Sequence, residues 1–123
     1  MKNLIKKWHN KSVEDWGAVN SDDSRNFSKD FKKTIKSIES ISLEKFNIGH
    51  YGVSGFVSKD NKYAYFSYSI PRGGTPIDAY DKGFLNGILI RTAESTSDYT
   101  GGINCFTNFV DLEEDLLALL DFM

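Results

Sequence analysis

Apolar positions recur at helical spacing in the first third of the chain: Phe27, Phe31, Ile35 and Ile38 fall on one stripe. Lys29, Lys32, Lys33 and Lys36 lie mostly on the other side, so a helix with a core face and a basic face is predicted there. A shorter helical stretch precedes it, with Leu4, Ile5 and Trp8 on one face and Lys6 and Lys7 turned outward. Ser12 stands before Glu14 and Asp15, acidic residues that suit a helix N-terminus, and Gly17 stops that element.

From Glu44 the period changes to two. Phe46, Ile48, His50 and Phe56 alternate with Asn47, Gly49, Tyr51, Val53 and Val57. Gly49, Gly52 and Gly55 interrupt this first strand, as at a bulge or a close backbone approach. SKDNK reads as a hairpin turn. The second strand, KYAYFSYSI, puts Tyr63, Tyr65, Ser67 and Ser69 on one face and Ala64, Phe66, Tyr68 and Ile70 on the other, and the latter should meet the helices.

PRGGTPIDAYDKG is the longest irregular segment, of the length at which loops inside compact domains are often functional. FLNGILIRTA, nearly continuous in apolar residues, reads as a central third strand. ESTSDYTGG connects it to a fourth, INCFTNFV, with Asp98 reaching back to backbone amides or to Arg91 and Gly101 and Gly102 making the turn. Asp111 and Glu114 sit as a capping box before a last helix whose stripe is Leu112, Leu116, Leu119 and Leu120, with Phe122 and Met123 covering the edge of the core. The order ααββββα predicts one α+β domain over residues 1–123, an antiparallel four-stranded sheet with helices on one face. The tyrosine-bearing face is left for solvent or for binding.

Composition fits an ordinary globular domain, 40% hydrophobic and 26% charged. The net charge of −2 divides unevenly. Residues 1–50 hold ten Lys or Arg against seven Asp or Glu, whereas residues 51–123 hold five against ten. Cys105 is the only cysteine, which excludes an intramolecular disulfide, and its setting is that of a small buried hydrophobe. No apolar run approaches the roughly 20 residues of a membrane span, and the basic start is not followed by the apolar core of a signal peptide. A cytoplasmic protein is expected.

Candidate chemistry is sparse. His9 and His50 lie in different elements, and neither pairs with another histidine or with Cys105 at ligand spacing, so no metal site and no cofactor is expected. An enzyme would have to assemble a site from His50, Ser67, Arg91 and Asp98, which nothing in their spacing requires. A nucleic-acid module would use Lys29, Lys32, Lys33 and Lys36 with Tyr63 and Tyr65. Better suited to this composition is a binding surface formed by Tyr63, Tyr65, Arg72, Asp78, Asp81, Arg91, Asp98 and Tyr99, offered to a basic protein that handles nucleic acid.

The segments YAYFSYSIPR and GILIRTAESTSDYTGGINCF resemble a pattern, R-T-A followed by D-Y-T-G-G, in small proteins carried by phages and conjugative elements of low-GC Gram-positive bacteria. The resemblance spans residues 63–106. It implies a mobile-element context, and with it counter-defence: inhibition of a host defence protein, such as a CRISPR effector nuclease, by contact and without catalysis. The residues it marks are Arg91, Thr92, Asp98, Tyr99, Gly101 and Gly102.

Overall fold

A computed structural model describes residues 2–11, 21–49, 52–69 and 87–122. It shows an α+β fold with an antiparallel sheet, and two of the predicted features change. The sheet has five strands among the described residues, not four: β1 (Ser42–Gly49), β2 (Gly52–Lys59), β3 (Lys62–Ser69), β4 (Ile88–Ala93) and β5 (Asn104–Thr107), ordered as they occur in the chain. Among the described residues the α-helices are two, α1 (Asp22–Lys36) and α2 (Leu112–Phe122), while Lys6–Lys11 forms a 3-10 helix. The element expected around Ser12 to Gly17 lies outside the described residues.

The extra strand comes from a reversal inside the alternating run. Gly49 pairs with Gly52 and Ile48 with Val53, so the strand direction is reversed between Gly49 and Gly52. Before the turn even-numbered positions, Phe46 and Ile48, face the helices; after it the odd ones do, Val53, Gly55 and Val57. Phe56 therefore belongs to the opposite face from Phe46. The next turn is tighter to read: Asp60 (φ 52°) and Asn61 (φ 65°) join paired Lys59 and Lys62 in the left-handed conformation of a two-residue hairpin.

Ala64, Phe66 and Tyr68 are buried against the helices, as alternation predicts, together with Ile88 and Ile90 of β4. On α1 the buried stripe is Phe27, Phe31 and Ile35, with Ile38 just beyond the helix. Ser21 caps it by accepting from the Ser24 amide (3.2 Å), and Asp22 and Asp23 sit in the first turn where the helix dipole favours negative charge. Phe27 is the centre of the core, its ring 5.2–5.7 Å from those of Trp8, Phe31, Tyr68 and Phe109.

The N-terminal segment is strapped across this core. Asn3 donates to the Phe109 carbonyl (2.8 Å) and accepts from the amides of Ile5 and Lys6, while Leu4 donates to Thr34 (3.0 Å). At the other end the turn into α2 is organised by Asn108, whose Oδ1 accepts from the Val110 and Asp111 amides. The Asp111 carboxylate accepts from Asn108 Nδ2 (3.0 Å) instead of forming the capping box expected with Glu114. Two more expectations are corrected here: Phe122 is 73% exposed, projecting from the last turn of α2, and Cys105 is exposed because β5 is a short edge strand.

Candidate functional site

The face of the sheet opposite α1 and α2 carries one continuous row of side chains. The register aligns Lys45, Phe56, Tyr65, Arg91 and Asn104 on five successive strands. Lys45 Nζ sits 5.9 Å from the Phe56 ring centre, and Phe56 packs edge-on to Tyr65 at 5.3 Å. The row is then covered from above. Residues 94–103 fold back so that the Tyr99 ring stacks on Tyr65, with centroids 4.3 Å apart and planes 19° apart.

Arg91 holds that loop down. Its Nε donates to the Tyr99 carbonyl (2.7 Å), its Nη1 donates to Asn104 Oδ1, and its guanidinium carbon lies 5.8 Å from the Tyr99 ring centre. Glu94 N donates to the Asp98 carbonyl (2.8 Å), and Ile103 N donates to Thr92 Oγ1 (2.8 Å), closing the loop at its base. Gly101 takes φ +74°, and a β-carbon on Gly102 would run into the Thr92 carbonyl. Of the two partners expected for Asp98, backbone amides and Arg91, the structure selects the first: Oδ1 accepts from the Thr100 amide (2.9 Å).

That amide bond, the Asp98 side chain's largest influence, holds its carboxyl below the ordinary carboxylate range. A lowered folded-state value means that the contribution to loop order is present above the unfolded value and is lost as pH falls through the folded one. The Thr100 amide resonance should therefore titrate in NMR spectra with a midpoint below the ordinary Asp value, and Asp98→Asn should abolish that titration. A midpoint at or above that value would show that the turn does not hold the carboxylate.

Tyr63, Tyr65, Arg91, Asp98 and Tyr99 thus lie on one side of the sheet, and four of them build a latched loop instead of a free surface. Tyr63, opposite Ala93, is half-buried beside it. Arg72, Asp78 and Asp81, along with the rest of the 71–83 segment, lie outside the described residues. So does His50; of the other residues in the enzyme alternative, Ser67 stands opposite Leu89, off the row that holds Arg91, and Arg91 and Asp98 are bonded within the loop. The nucleic-acid alternative is divided by the fold. Its lysines are on α1, on the opposite side of the sheet from Tyr63 and Tyr65.

A second region is more open. Where α1 overhangs β1, a groove of about 530 Å³ is lined by Arg25, Ser28, Lys29 and Lys32 of the helix and by Phe46 and Ile48 of the strand. A smaller one, about 250 Å³, is lined by Lys32, Lys36, Leu43, Glu44, Lys45 and Phe46. Arg25, Lys29, Lys32 and Lys36 follow one another at helical spacing and so share a stripe, from which Lys33 is rotated away. Lys32 Nζ lies 5.8 Å from the Phe46 ring centre. Ile48 is 56% exposed. Ser28 is only 3% exposed, and its hydroxyl has no hydrogen-bond partner, an uncommon state for a buried polar group.

Sequence reasoning identified the lysines but not Arg25, Ser28, Phe46 and Ile48 as their companions. The 25, 29, 32, 36 spacing and the switch from even to odd apolar positions were the available signals. In comparison with known proteins no family model matches the chain, and no curated protein and no solved structure matches it. Among the described residues, no three His, Cys, Asp or Glu side chains gather as a metal site would need, and no helix is long and apolar enough to cross a membrane.

Proposed function

We propose that the protein is a non-enzymatic binding protein that acts by protein–protein contact through the seam between α1 and β1. The observation that carries this reading is the groove itself, an apolar floor of Phe46 and Ile48 open to solvent and rimmed by Arg25, Lys29 and Lys32. Exposed apolar surface framed by charge is the composition of interaction sites: the floor supplies affinity, and the rim supplies steering and partner choice. The tyrosine side of the sheet supports it less, since Tyr99 and Arg91 already occupy it.

The R-T-A and D-Y-T-G-G segments give this reading its biological setting. They resemble proteins of phages and conjugative elements, and the proposed role is inhibition of a host defence system inside the bacterial cytoplasm, with a CRISPR effector nuclease as the leading target. In this fold Arg91, Thr92, Asp98, Tyr99, Gly101 and Gly102 form or anchor the loop, so they would act by shaping the protein, while the groove makes the contact. The test is affinity capture from the lysate of a low-GC Gram-positive bacterium carrying a CRISPR system, followed by a cleavage assay with the captured nuclease. Retention of the effector and blocked cleavage are expected. Full cleavage at excess protein, with no defence protein retained, would overturn the defence role.

A further inference from the structure

We infer that the α1–β1 groove receives an extended acidic segment of the partner, which adds to the outer edge of β1 as a further strand under the overhang of α1. This rests on reading the protein as a protein-binding module. The first support is the strand. β1 stands at the edge of the sheet among the described residues, and from Lys45 to Gly49 its register with β2 is uninterrupted, after the irregularity at Leu43 to Lys45. An edge of this kind carries outward N–H and C=O groups that a second strand can pair with, and strand addition is a recurrent mode of peptide recognition.

The second support is charge. The four cations of the helical stripe, Arg25, Lys29, Lys32 and Lys36, stand above the edge, while the Lys45 ammonium lies over Phe56 on the other face. Asp22 pairs with Arg25, and Glu44 is turned to Ser58, accepting from its hydroxyl at 2.6 Å. Neither Lys29 nor Lys36 has an ion pair among the described residues. Side chains of an added strand point alternately to the two faces. Those entering the groove would lay aliphatic stems on Phe46 and Ile48 and bring their ends to the cations, which is the shape of glutamate.

The third support is Ser28, buried in the groove wall with an unpartnered hydroxyl. Rotation of the side chain about χ1 would turn the hydroxyl toward the groove, where an entering carboxylate oxygen would accept from it. The same features disfavour nucleic acid. The aromatic face that a base would stack on, Phe46, already has the Lys32 ammonium beside it, and a strand edge offers pairing to amides and not to phosphates.

The experiment uses the whole chain, isotope-labelled, titrated by NMR with an end-blocked octapeptide alternating glutamate and valine. A lysine–valine octapeptide and an oligothymidylate serve as controls. Expected are shift changes confined to residues 25–32 and 45–49, new exchange protection of β1 amides, and affinity falling about tenfold between low and high salt. Lys29→Glu with Lys32→Glu should remove binding with an unchanged thermal midpoint. Ser28→Ala should weaken it about threefold to tenfold while leaving the free protein as stable or more so, because it deletes an unsatisfied group. Shifts on the Tyr65–Tyr99 side or along β5, equal binding of the lysine peptide, or equal shifts with oligothymidylate would overturn the inference. If the double variant still captures and inhibits a nuclease, this occupant is wrong and the functional reading stands. Peptide binding without any nuclease inhibited leaves the occupant and removes the defence role.

Discussion

Replacing Phe27 by alanine should cost about 3–5 kcal/mol, the range for truncating a fully buried phenylalanine. Its ring is wholly buried and touches Trp8 of the N-terminal segment, Phe31 of α1, Tyr68 of β3 and Phe109 before α2. The neighbours cannot collapse into the space, because each belongs to a different element. A domain of this size is stable by only about 5–15 kcal/mol, so the variant should lose roughly 10–20 °C in thermal midpoint, or fail to fold at growth temperature. Circular-dichroism melts of the two proteins check this. A loss of less than about 1 kcal/mol would mean that these rings do not form one packed cluster.

The second large effect is expected at Gly55, which carries no side chain to lose. A β-carbon there would run into the Lys45 carbonyl and lie 2.7 Å from the end of the Phe66 ring. The backbone carbonyl cannot rotate away without parting β1 from β2, and Phe66 is held by Phe31 and Phe46. Gly55→Ala should therefore destabilise by about 2–3 kcal/mol, the upper part of the range for overpacking, and should perturb the amides of residues 43–48 most. Denaturant melts give the first quantity and amide shifts the second. Because Phe46 forms the groove floor, the same substitution should weaken binding at the groove. Gly101→Ala, with nothing near its β-carbon, gives a contrast in which only positive φ is penalised.

The elements legible in advance are those with long, unbroken periodicity. The stripe Phe27, Phe31, Ile35 and Ile38, the stripe of leucines in α2, and the two faces of β3 all follow from spacing alone, since burial selects one side of each. The reversal between Gly49 and Gly52 is hidden in the sequence because it leaves alternation intact on both sides and merely exchanges odd for even. Alternation accordingly groups Phe56 with Phe46, and it does not mark β1 as an edge. Without that edge the groove could not be foreseen. Arg25, Ser28 and Ile48 acquire meaning only when α1 is seen to overhang a strand end. Cys105 shows the converse: its composition suggests burial, but a four-residue edge strand cannot bury both faces.

On the tyrosine side, the sequence supplied the residues and the structure reversed their meaning. Tyr65 and Tyr99 look like a platform awaiting a partner, yet each is the partner of the other. Asp98 has backbone amides or Arg91 within its expected reach, and both side chains take main chain nearer at hand, Asp98 the Thr100 amide and Arg91 the Tyr99 carbonyl. Short-range bonds of this kind compete well because little chain has to be ordered to make them.

The strap formed by Asn3 also bears on the order in which the molecule is assembled. Each strand of the sheet lies beside its neighbour in sequence, so β1 to β5 can zip together by closing one connection at a time. Asn3 must instead find the carbonyl of Phe109, 106 residues away. During synthesis the segment containing Ile5 and Trp8 can dock on α1 as soon as that helix is made, through Leu4 on Thr34 and Trp8 on Phe27, but the Asn3 bond has to wait for the last turn before α2. Until then the strap is fastened at its α1 end only, and the bond that spans the greatest stretch of sequence is the one left to close.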